Sequence, residues 1–352
     1  MRLLVRVLPY VASEDCFALK GGTAINLFLR DLPRLSVDID LAYLPIAEYQ
    51  PSRAAIDAAL KRIREKLIAR PPALKVTMGA NDGSGLIDTL NVSDGAEKVK
   101  VEVNPVIRGS VNAPALLPLR PAVQAELGFA QIAALAFEDI YAGKVMAALD
   151  RQHPRDLFDV MVLFENDGIS DVLFKTWLAY LVGHKGSMAD SLVPNRKNIE
   201  TLYHEQFVDM TERYVSLAQL LEVRERLIAE IHARLGDSEK AFLLSVKQLK
   251  PQWDLLGLDG IDQLPAVKWK LHNLGRMDKA SHQRAVDRLA RTLAEIWPCP
   301  VSSILISDLS IKSSSSHGSY FARGICSSQV ARPRIASARI TGSESGLSTS
   351  TA

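Results

Sequence analysis

Two aspartates separated by one residue, Asp38 and Asp40, lie in the alternating stretch SVDIDLAYL, which spans residues 36–44. Because the side chains of a β-strand repeat every two residues, both carboxylates point to the same face of the predicted strand. Neighbouring carboxylates repel each other and are costly to bury unless a cation compensates them. Mg²⁺ prefers oxygen ligands and binds one or two carboxylates together with substrate phosphates. The pair therefore predicts a divalent-metal site.

A third carboxylate for this site is expected on a neighbouring strand. In EKVKVEVNPVIRG, residues 97–109, strict alternation puts three valines on one face and Glu102 on the other. Glu102 is therefore the best candidate for completing a two-metal site. Such a site holds the attacking and leaving oxygens of an in-line phosphoryl displacement.

A glycine turn precedes the two aspartates. Gly21, Gly22 and Thr23 follow the short apolar segment CFALK and open the helix-like run TAINLFLR, residues 23–30. This order predicts a strand, a turn and a helix, with Thr23 as the helix N-cap. Free backbone N–H groups at a helix start attract anions, and glycine lets a phosphate approach closely. Together with the metal site, the turn has the parts needed to bind a nucleoside triphosphate.

The elements that position these residues follow from periodicity and turn signals. Helices are predicted over residues 1–13 and 51–70, and strands over 16–20, 36–44 and 97–109. From about residue 121 the pattern is helical, with a break at Pro154. We predict an α/β (α+β) fold. Its N-terminal part is a mixed sheet with flanking helices, and a mainly helical C-terminal domain and a tail follow. The three predicted parts are a catalytic α/β domain at 1–120, a helical domain at 121–300 that completes the site, and a Ser-rich disordered tail at 301–352.

Composition excludes several broad classes of protein. A formal net charge of +2 over 352 residues gives no global argument for nucleic acid or membrane binding. The Ser-rich tail alone carries more positive than negative residues, so the excess is not a property of the predicted folded part. No apolar run is long enough for a membrane helix, and three distant cysteines suggest neither a zinc site nor a disulfide framework. These features favour a cytoplasmic protein.

At these motifs the sequence resembles the nucleotidyltransferase (DNA polymerase β-like) superfamily, whose signature is a Gly-Gly or Gly-Ser turn, a helix and D-x-D. More narrowly, four segments are similar to the AbiEii/AbiGii family, the toxin half of type IV toxin–antitoxin systems, which includes the mycobacterial MenT toxins. The segments are LKGGTAINLF, RLSVDIDL, KVEVNPVIRG and AGKVMAALDRQHPRDLFDV. The resemblance covers roughly residues 1–297 and is clearest over 15–165. It implies that the predicted mixed sheet is of the nucleotidyltransferase type.

The resemblance implies a role for each matching position. The triphosphate would be held by Gly21, Gly22 and Thr23, beside Ser36 of the S-x-D-x-D element. The metal ligands would be Asp38 and Asp40, with Glu102 as the third carboxylate. Lys144 would contact nucleotide phosphates, and Asp156 would be the acid of the last motif. From the residues alone, Lys144 is also consistent with a solvated helix face, and Asp156 with an ordinary helix-start acid.

Two further residues have open alternatives. Arg34 is suited either to a substrate phosphate or to an ion pair with an acid. Asp159, three residues after Asp156, is placed to pair with Arg155 or Arg151.

The motifs together predict a nucleotidyltransferase that uses Mg²⁺ or Mn²⁺ and transfers a nucleoside monophosphate from an NTP, releasing pyrophosphate. The resemblance implies that the acceptor is the tRNA 3′ end and that a cognate AbiEi-type antitoxin neutralises the protein. It also implies that translation and growth stop, as they do in abortive infection, which is a defence against phage. Two alternatives are a small-molecule nucleotidyltransferase and a nucleotide-binding module without turnover. The module would lack a carboxylate, whereas all three are present.

An RNA acceptor would also need positive surface. The basic stretches RPPALK, residues 70–75, and VPNRKNIE, residues 193–200, are candidates for RNA contact, although each is equally consistent with solvated surface. A tRNA acceptor predicts a basic groove between the two folded domains.

Overall fold

A mixed β-sheet carries the three predicted metal ligands, Asp38, Asp40 and Glu102. The computed structural model describes residues 1–69, 74–80, 83 and 85–296. Within these residues one sheet has the strand order β3-β4-β5-β2-β1-β7-β6. Its strands are β1 (Phe17–Lys20), β2 (Asp38–Tyr43), β3 (Lys75–Gly79), β4 (Thr89–Ser93), β5 (Lys98–Arg108), β6 (Ala115–Pro118) and β7 (Gln131–Ala134). The predicted strands at 16–20, 36–44 and 97–109 are therefore confirmed within one or two residues.

The centre of the sheet sets the register of the site. Strand β2 pairs antiparallel with β1 and parallel with β5. Asp40 is opposite Lys20 on one side and opposite Glu102 on the other. The alternation predicted for β5 is confirmed, because three of its valines are buried and Glu102 is half-buried on the opposite face. The buried valines are Val99, Val101 and Val103. Three charged residues of adjacent strands thus lie in one row across the sheet.

The first half of the chain supplies the helices that cover the sheet. They are α1 (Arg2–Val11), α2 (Gly21–Thr23), which continues as a π-helix over Ala24–Leu29, α3 (Tyr49–Ala69) and α4 (Pro121–Leu127). Helices α1 and α3 pack against each other and against the strands, burying mainly aliphatic side chains. The prediction of Thr23 as an N-cap is wrong. The glycine turn itself forms the first helical residues, so Lys20 is the N-cap.

The second half of the described chain is helical, as predicted. Its helices are α5 (Phe137–Asp150), α6 (Pro154–Asn166), α7 (Asp171–Gly183), α8 (Met188–Leu192), α9 (Glu200–Gln206), α10 (Leu217–Arg234), α11 (Asp237–Lys247), α12 (Pro265–Gly275) and α13 (Lys279–Glu295). The predicted break at Pro154 is confirmed. Proline occupies the first position of α6, and the His153 ring nitrogen caps the helix by accepting the Arg155 backbone N–H.

The division into a catalytic and a helical domain stays a prediction. Residue 120 lies between β6 and β7, which pair antiparallel in the same sheet. The predicted disordered tail lies outside the described residues. Within the described part of the chain, no helix combines the length and the apolar character needed to cross a bilayer.

Candidate active site

A cavity of about 550 Å³ opens between the sheet and helices α5 and α6. Eight of the nine predicted site residues line it: Gly21, Gly22, Ser36, Asp38, Asp40, Glu102, Lys144 and Asp156. Helices α5 and α6 therefore form one wall of the cavity, and the row of strands β1, β2 and β5 forms the other. The ninth predicted residue, Thr23, is not among the lining residues.

The two glycines are explained by what packs against them. Gly21 has φ of +72°, a left-handed conformation that side chains rarely adopt, and a Cβ there would overlap the Asp40 carboxylate. A Cβ at Gly22 would lie 2.8 Å from Arg34 Nη2 and 3.1 Å from Ser36 Oγ. The glycine turn and the D-x-D strand are thus in direct contact, which explains why they occur together in the sequence.

Thr23 ties the start of the helix to the carboxylate strand. Its side chain is fully buried, and its hydroxyl donates to the backbone carbonyl of Asp38. Since a hydroxyl has only one proton, the Ser36 hydroxyl donates to Thr23 Oγ1 across 2.9 Å. The structure therefore gives Thr23 a positioning contact, and its predicted phosphate contact stays a prediction.

The carboxylates on the sheet side carry uncompensated charge. Within the described chain, neither Asp38 nor Asp40 accepts a side-chain hydrogen bond or forms an ion pair. Partial burial of the Asp38 carboxyl, and next the charge of Asp40, raise its pKa above the usual range. Glu102 differs, because its carboxylate pairs with Lys100 and is 40% exposed. Asp38 and Asp40 are the two carboxylates available to a cation.

Asp38 and Asp40 also determine whether the site is suited to a metal ion. Among the residues that the structure describes, no cluster of three or more His, Cys, Asp or Glu side chains could hold a metal by itself. The arrangement therefore matches a site with two protein carboxylates, which is the number that Mg²⁺ commonly takes when phosphates supply the remaining oxygens.

The helix side of the cavity is built from ion pairs around two buried carboxylates. Lys144 of α5 lies 2.8 Å from Asp156 Oδ1 and 2.9 Å from Asp159 Oδ2, both on α6. Arg34 binds Asp159 with two N–H groups, at 2.7 and 2.6 Å. Arg151 donates to both oxygens of Asp156, with Nη2 2.9 Å from Oδ1. We call these five residues the ion-pair network.

All members of the ion-pair network are held in their charged forms. Burial by itself raises the pKa of Asp156, but Lys144 and Arg151 outweigh burial and leave that pKa below the usual range. The pKa of Asp159 is likewise lowered, because Arg34 and Lys144 outweigh the effect of burial. Three cations and two carboxylates leave one positive charge at the cavity wall.

The ion-pair network decides several open alternatives. The solvated-face alternative for Lys144 is wrong, since its side chain is only 5% exposed. The expectation that Asp159 pairs with Arg151 or Arg155 is also wrong, because Arg34 and Lys144 hold it instead. For Arg34, the alternative of an ion pair with an acid is confirmed. Arg34 also lines the cavity.

Sequence reasoning missed two cations at the cavity. Lys20 and Arg155 both line it, and neither forms an ion pair with a described residue. Lys20 directly precedes the glycine turn and lies opposite Asp40 in the sheet, so its position beside the turn was the available signal. Arg155 is in the first turn of α6, where the positive charge lies close enough to Asp38 to oppose the rise in its pKa.

The basic stretch at 193–200 has its charges engaged elsewhere. Arg196 pairs with Glu225, and Lys197 donates to the backbone carbonyl of Asp150. Most of the other stretch, residues 70–73, lies outside the described residues. Neither stretch therefore provides evidence of an RNA surface.

A glycine turn packed on a D-x-D strand, with a carboxylate beside it on the next strand, is the arrangement of a nucleotidyltransferase. MenT4, a nucleotidyltransferase toxin from Mycobacterium tuberculosis H37Rv, has a similar fold, with a TM-score of 0.52 at 15% sequence identity. The similarity covers 83% of this chain and 91% of MenT4.

The family follows from the sequence match. Residues 2–273 match the model of the nucleotidyl transferase AbiEii toxin family of type IV toxin–antitoxin systems. The chain belongs to this family, and it is a nucleotidyltransferase toxin. Membership implies an NTP substrate and an antitoxin partner. No curated protein matches the sequence.

Proposed function

We propose that the protein transfers a nucleoside monophosphate from an NTP to the 3′ end of tRNA, in a reaction that depends on Mg²⁺ or Mn²⁺. The observation that carries this proposal is a pair of carboxylates, Asp38 and Asp40, that have no ion-pair partner among the described residues and share a cavity with similarly unpaired cations and the glycine turn. Opposite charges held apart in one cavity suit a substrate that brings both a metal and phosphates.

Asp38 and Asp40 would hold the metal, and Glu102 would join them if its carboxylate turned from Lys100. A divalent cation at this place lowers the pKa of an acceptor hydroxyl and neutralises charge that develops on the phosphoryl oxygens. The raised pKa of Asp38 supports this assignment, because a carboxylate destabilised by its surroundings gains the most from a cation.

The phosphates of the NTP would lie against Gly21, Gly22 and the two free cations. Lys20 and Arg155 have unshared donors, whereas Lys144 already holds two carboxylates and has one N–H left. Ser36, anchored on Thr23, would orient the turn. Lys144 and Asp156 would act mainly by holding α5 and α6 together as the helix wall of the cavity. The remaining N–H of Lys144 would donate to a phosphate oxygen.

The reaction needs one displacement at phosphorus. The acceptor hydroxyl would give its proton to solvent water, its oxygen would bond to the α-phosphorus of the NTP, and the bond between the α-phosphorus and the oxygen bridging to the β-phosphate would break. Pyrophosphate leaves with that electron pair. Positioning and electrostatic stabilisation carry most of the catalysis in phosphoryl transfer, which agrees with a rigid, ion-paired wall.

The proposed consequence is that modified tRNA no longer serves translation, so growth stops until an AbiEi-type antitoxin neutralises the protein. A tRNA target would place the protein in the cytoplasm. The membership in a toxin family supports this consequence, because a toxin needs an essential cellular target.

The test is incubation of the protein with each α-³²P-labelled NTP, Mg²⁺ and total tRNA. We expect labelled tRNA with wild-type protein, none after EDTA, and none with Asp38→Ala. Asp31→Ala is the matched control, since Asp31 forms an exposed ion pair with Arg120 away from the lining residues. Label on a small molecule in a cell extract, with none on tRNA, would replace the proposal with a small-molecule transferase. NTP binding without any transfer would leave a binding module.

A further inference from the structure

We propose that one exposed face of α12 binds the single-stranded end of the RNA acceptor. The α12 face consists of Lys268, Trp269, His272, Asn273 and Arg276. It rests on the proposed function, because an RNA acceptor is part of that proposal. The chemistry that α12 offers is cations for the phosphates and an exposed aromatic ring for a base.

The five residues form one continuous stripe. Their spacing of one, three and four residues puts them on the same side of an α-helix, and all five are exposed. The opposite side of α12 is buried through Val267 and Leu274. The stripe is therefore a solvent face of a packed helix.

Trp269 is the most informative member of the stripe. Its side chain is 58% exposed, and its ring stacks on His272 with centroids 5.8 Å apart and planes 20° apart. The exposed ring offers apolar surface that a stacked base would remove from water. A flat, preorganised aromatic surface accepts any base by stacking, at about 1–3 kcal/mol per base.

The charged side chains of the α12 face are all positive. Helix α12 contains lysines but no Asp or Glu, and Arg276 extends the positive stripe past its end. Lys268 donates to Gln263, and neither Lys268 nor Arg276 forms an ion pair with a described residue. Cations that are not neutralised internally are free to replace the counterions of a phosphate backbone.

The α12 face adjoins the cavity. Leu264, Ala266 and Val267 line the cavity, and the next two residues along the chain are Lys268 and Trp269. With a rise of about 1.5 Å per residue, the stripe starts within one helical turn of the cavity rim. An RNA strand bound along the stripe would therefore lie close to the cavity rim.

Helix α12 is also held firmly enough to act as a platform. Lys270 donates to the carbonyls of His184 and Gly186, at 2.9 and 2.5 Å. A Cβ at Gly183 would lie 3.2 Å from Ala266 Cβ, so the glycine allows α12 to pack closely on α7. Burial of Lys270, and then the charge of Lys247, lower its pKa to about 8, which marks it as an anchor and not as an RNA contact.

The stripe fits RNA better than a protein partner. A protein interface has an apolar core of several residues, whereas the α12 face has one large apolar side chain among polar and basic ones. An aromatic ring interleaved with cations is the pattern of single-stranded nucleic-acid sites.

The test measures RNA binding and transfer separately. Fluorescence anisotropy with a fluorescein-labelled 12-nucleotide single-stranded RNA gives the affinity, and α-³²P transfer to tRNA gives KM for each substrate. We expect Trp269→Ala to weaken RNA binding and raise KM for tRNA roughly tenfold, with KM for NTP unchanged. Trp269→Phe should restore most of the affinity, because a ring remains. Lys268→Glu should make the log–log salt dependence shallower by about 0.7.

Matched controls separate this effect from general damage. Phe129→Ala removes an equally exposed ring, and Lys98→Glu reverses an exposed charge, both outside α12; neither should change RNA affinity. If wild-type protein labels tRNA and the α12 variants bind RNA as tightly as wild type, the inference is overturned while the proposed function stands. Loss of antitoxin neutralisation with unchanged RNA binding would overturn it in favour of a protein surface. If wild-type protein neither binds nor labels RNA, both proposals fail.

Discussion

The two walls of the cavity treat charge in opposite ways. On the sheet wall, Asp38 and Asp40 share one strand face and have no protein partner within the described chain. On the helix wall, Asp156 and Asp159 are buried and each receives two cations. The same residue type therefore has a raised pKa at Asp38 and a lowered pKa at Asp156 and Asp159.

The difference separates binding from framework. A carboxylate with no partner is poised for a ligand, and its charge costs the protein stability until the ligand arrives. A carboxylate with two cations is already satisfied, so it holds elements together and removing it leaves unpaired charge in a buried place. Variants that alter one wall of the cavity at a time therefore test this difference.

The largest expected effect comes from the sheet wall. Asp40→Asn should lower nucleotidyl transfer by about a thousandfold, because a neutral amide is a poor metal ligand. The unfolding midpoint in urea should stay the same or rise, since a repulsion is removed. Transfer within tenfold of wild type would contradict the assignment of Asp40, and Asp31→Asn provides the control for a lost surface carboxylate.

The helix wall should respond in stability. Asp159→Asn removes the partner of both Arg34 and Lys144 and leaves two buried cations undercompensated. The free energy of unfolding should fall by about 3–5 kcal/mol, measured by urea denaturation. Asp31→Asn breaks an exposed pair with Arg120 and should cost less than about 1 kcal/mol. Equal losses in the two variants would mean that the ion-pair network is not a framework.

The glycine turn allows a test of the contact that joins turn and strand. Gly21→Ala should cost about 1–2 kcal/mol for the left-handed backbone, and more for the overlap with Asp40. Gly168→Ala is the matched control, because φ is +69° there and a Cβ would meet nothing within 4 Å. Transfer should fall only in Gly21→Ala. If Gly21→Ala and Gly168→Ala lowered the free energy of unfolding equally, the overlap between the new Cβ and the Asp40 carboxylate would be relieved without cost.

The smallest effect concerns the pH dependence of stability. The folded-state pKa of Asp38 is raised, so folding loses stability as the pH rises from the unfolded value, about 3.9, through that raised pKa. Asp38→Asn lacks this loss. The variant should therefore match wild type below about pH 3.9 and become more stable above the raised pKa. Urea melts across that range check this, and a constant difference at all pH values would contradict the shift.

Local patterns were sufficient for the strands and for the faces of their side chains. Strict alternation placed Glu102 on the polar face of β5, and the structure confirms it. The Pro154 break also followed from local chemistry, since proline suits the first helical position. The side-chain cap of α6 was not predicted. The N-cap prediction for Thr23 is wrong for a physical reason: the helix already begins at Gly21, whose left-handed φ of +72° is readily adopted only by glycine, so the N-cap is Lys20, three residues earlier.

Burial of charge was not predictable from local patterns. Lys144 and Asp159 have the sequence context of an ordinary helix surface, and Arg34 is far from both along the chain. Only the packing of α5 on α6, with Arg34 beside them, shows that the three are ion-paired away from water. Helical periodicity reports neighbours within a helix and gives no information about which distant cation meets a carboxylate.

The sequence by itself determined the predicted catalytic parts, which are a glycine turn, a D-x-D strand and a third carboxylate, because these depend on local geometry and on the chemistry of each residue type. The tertiary structure decided which charges remain available. Strand register put Lys20, Asp40 and Glu102 in one row, and helix packing neutralised Lys144 while leaving Arg155 without an ion pair to any described residue. Such choices depend on contacts between residues far apart in the chain, where the cost of burying a charge selects its partner.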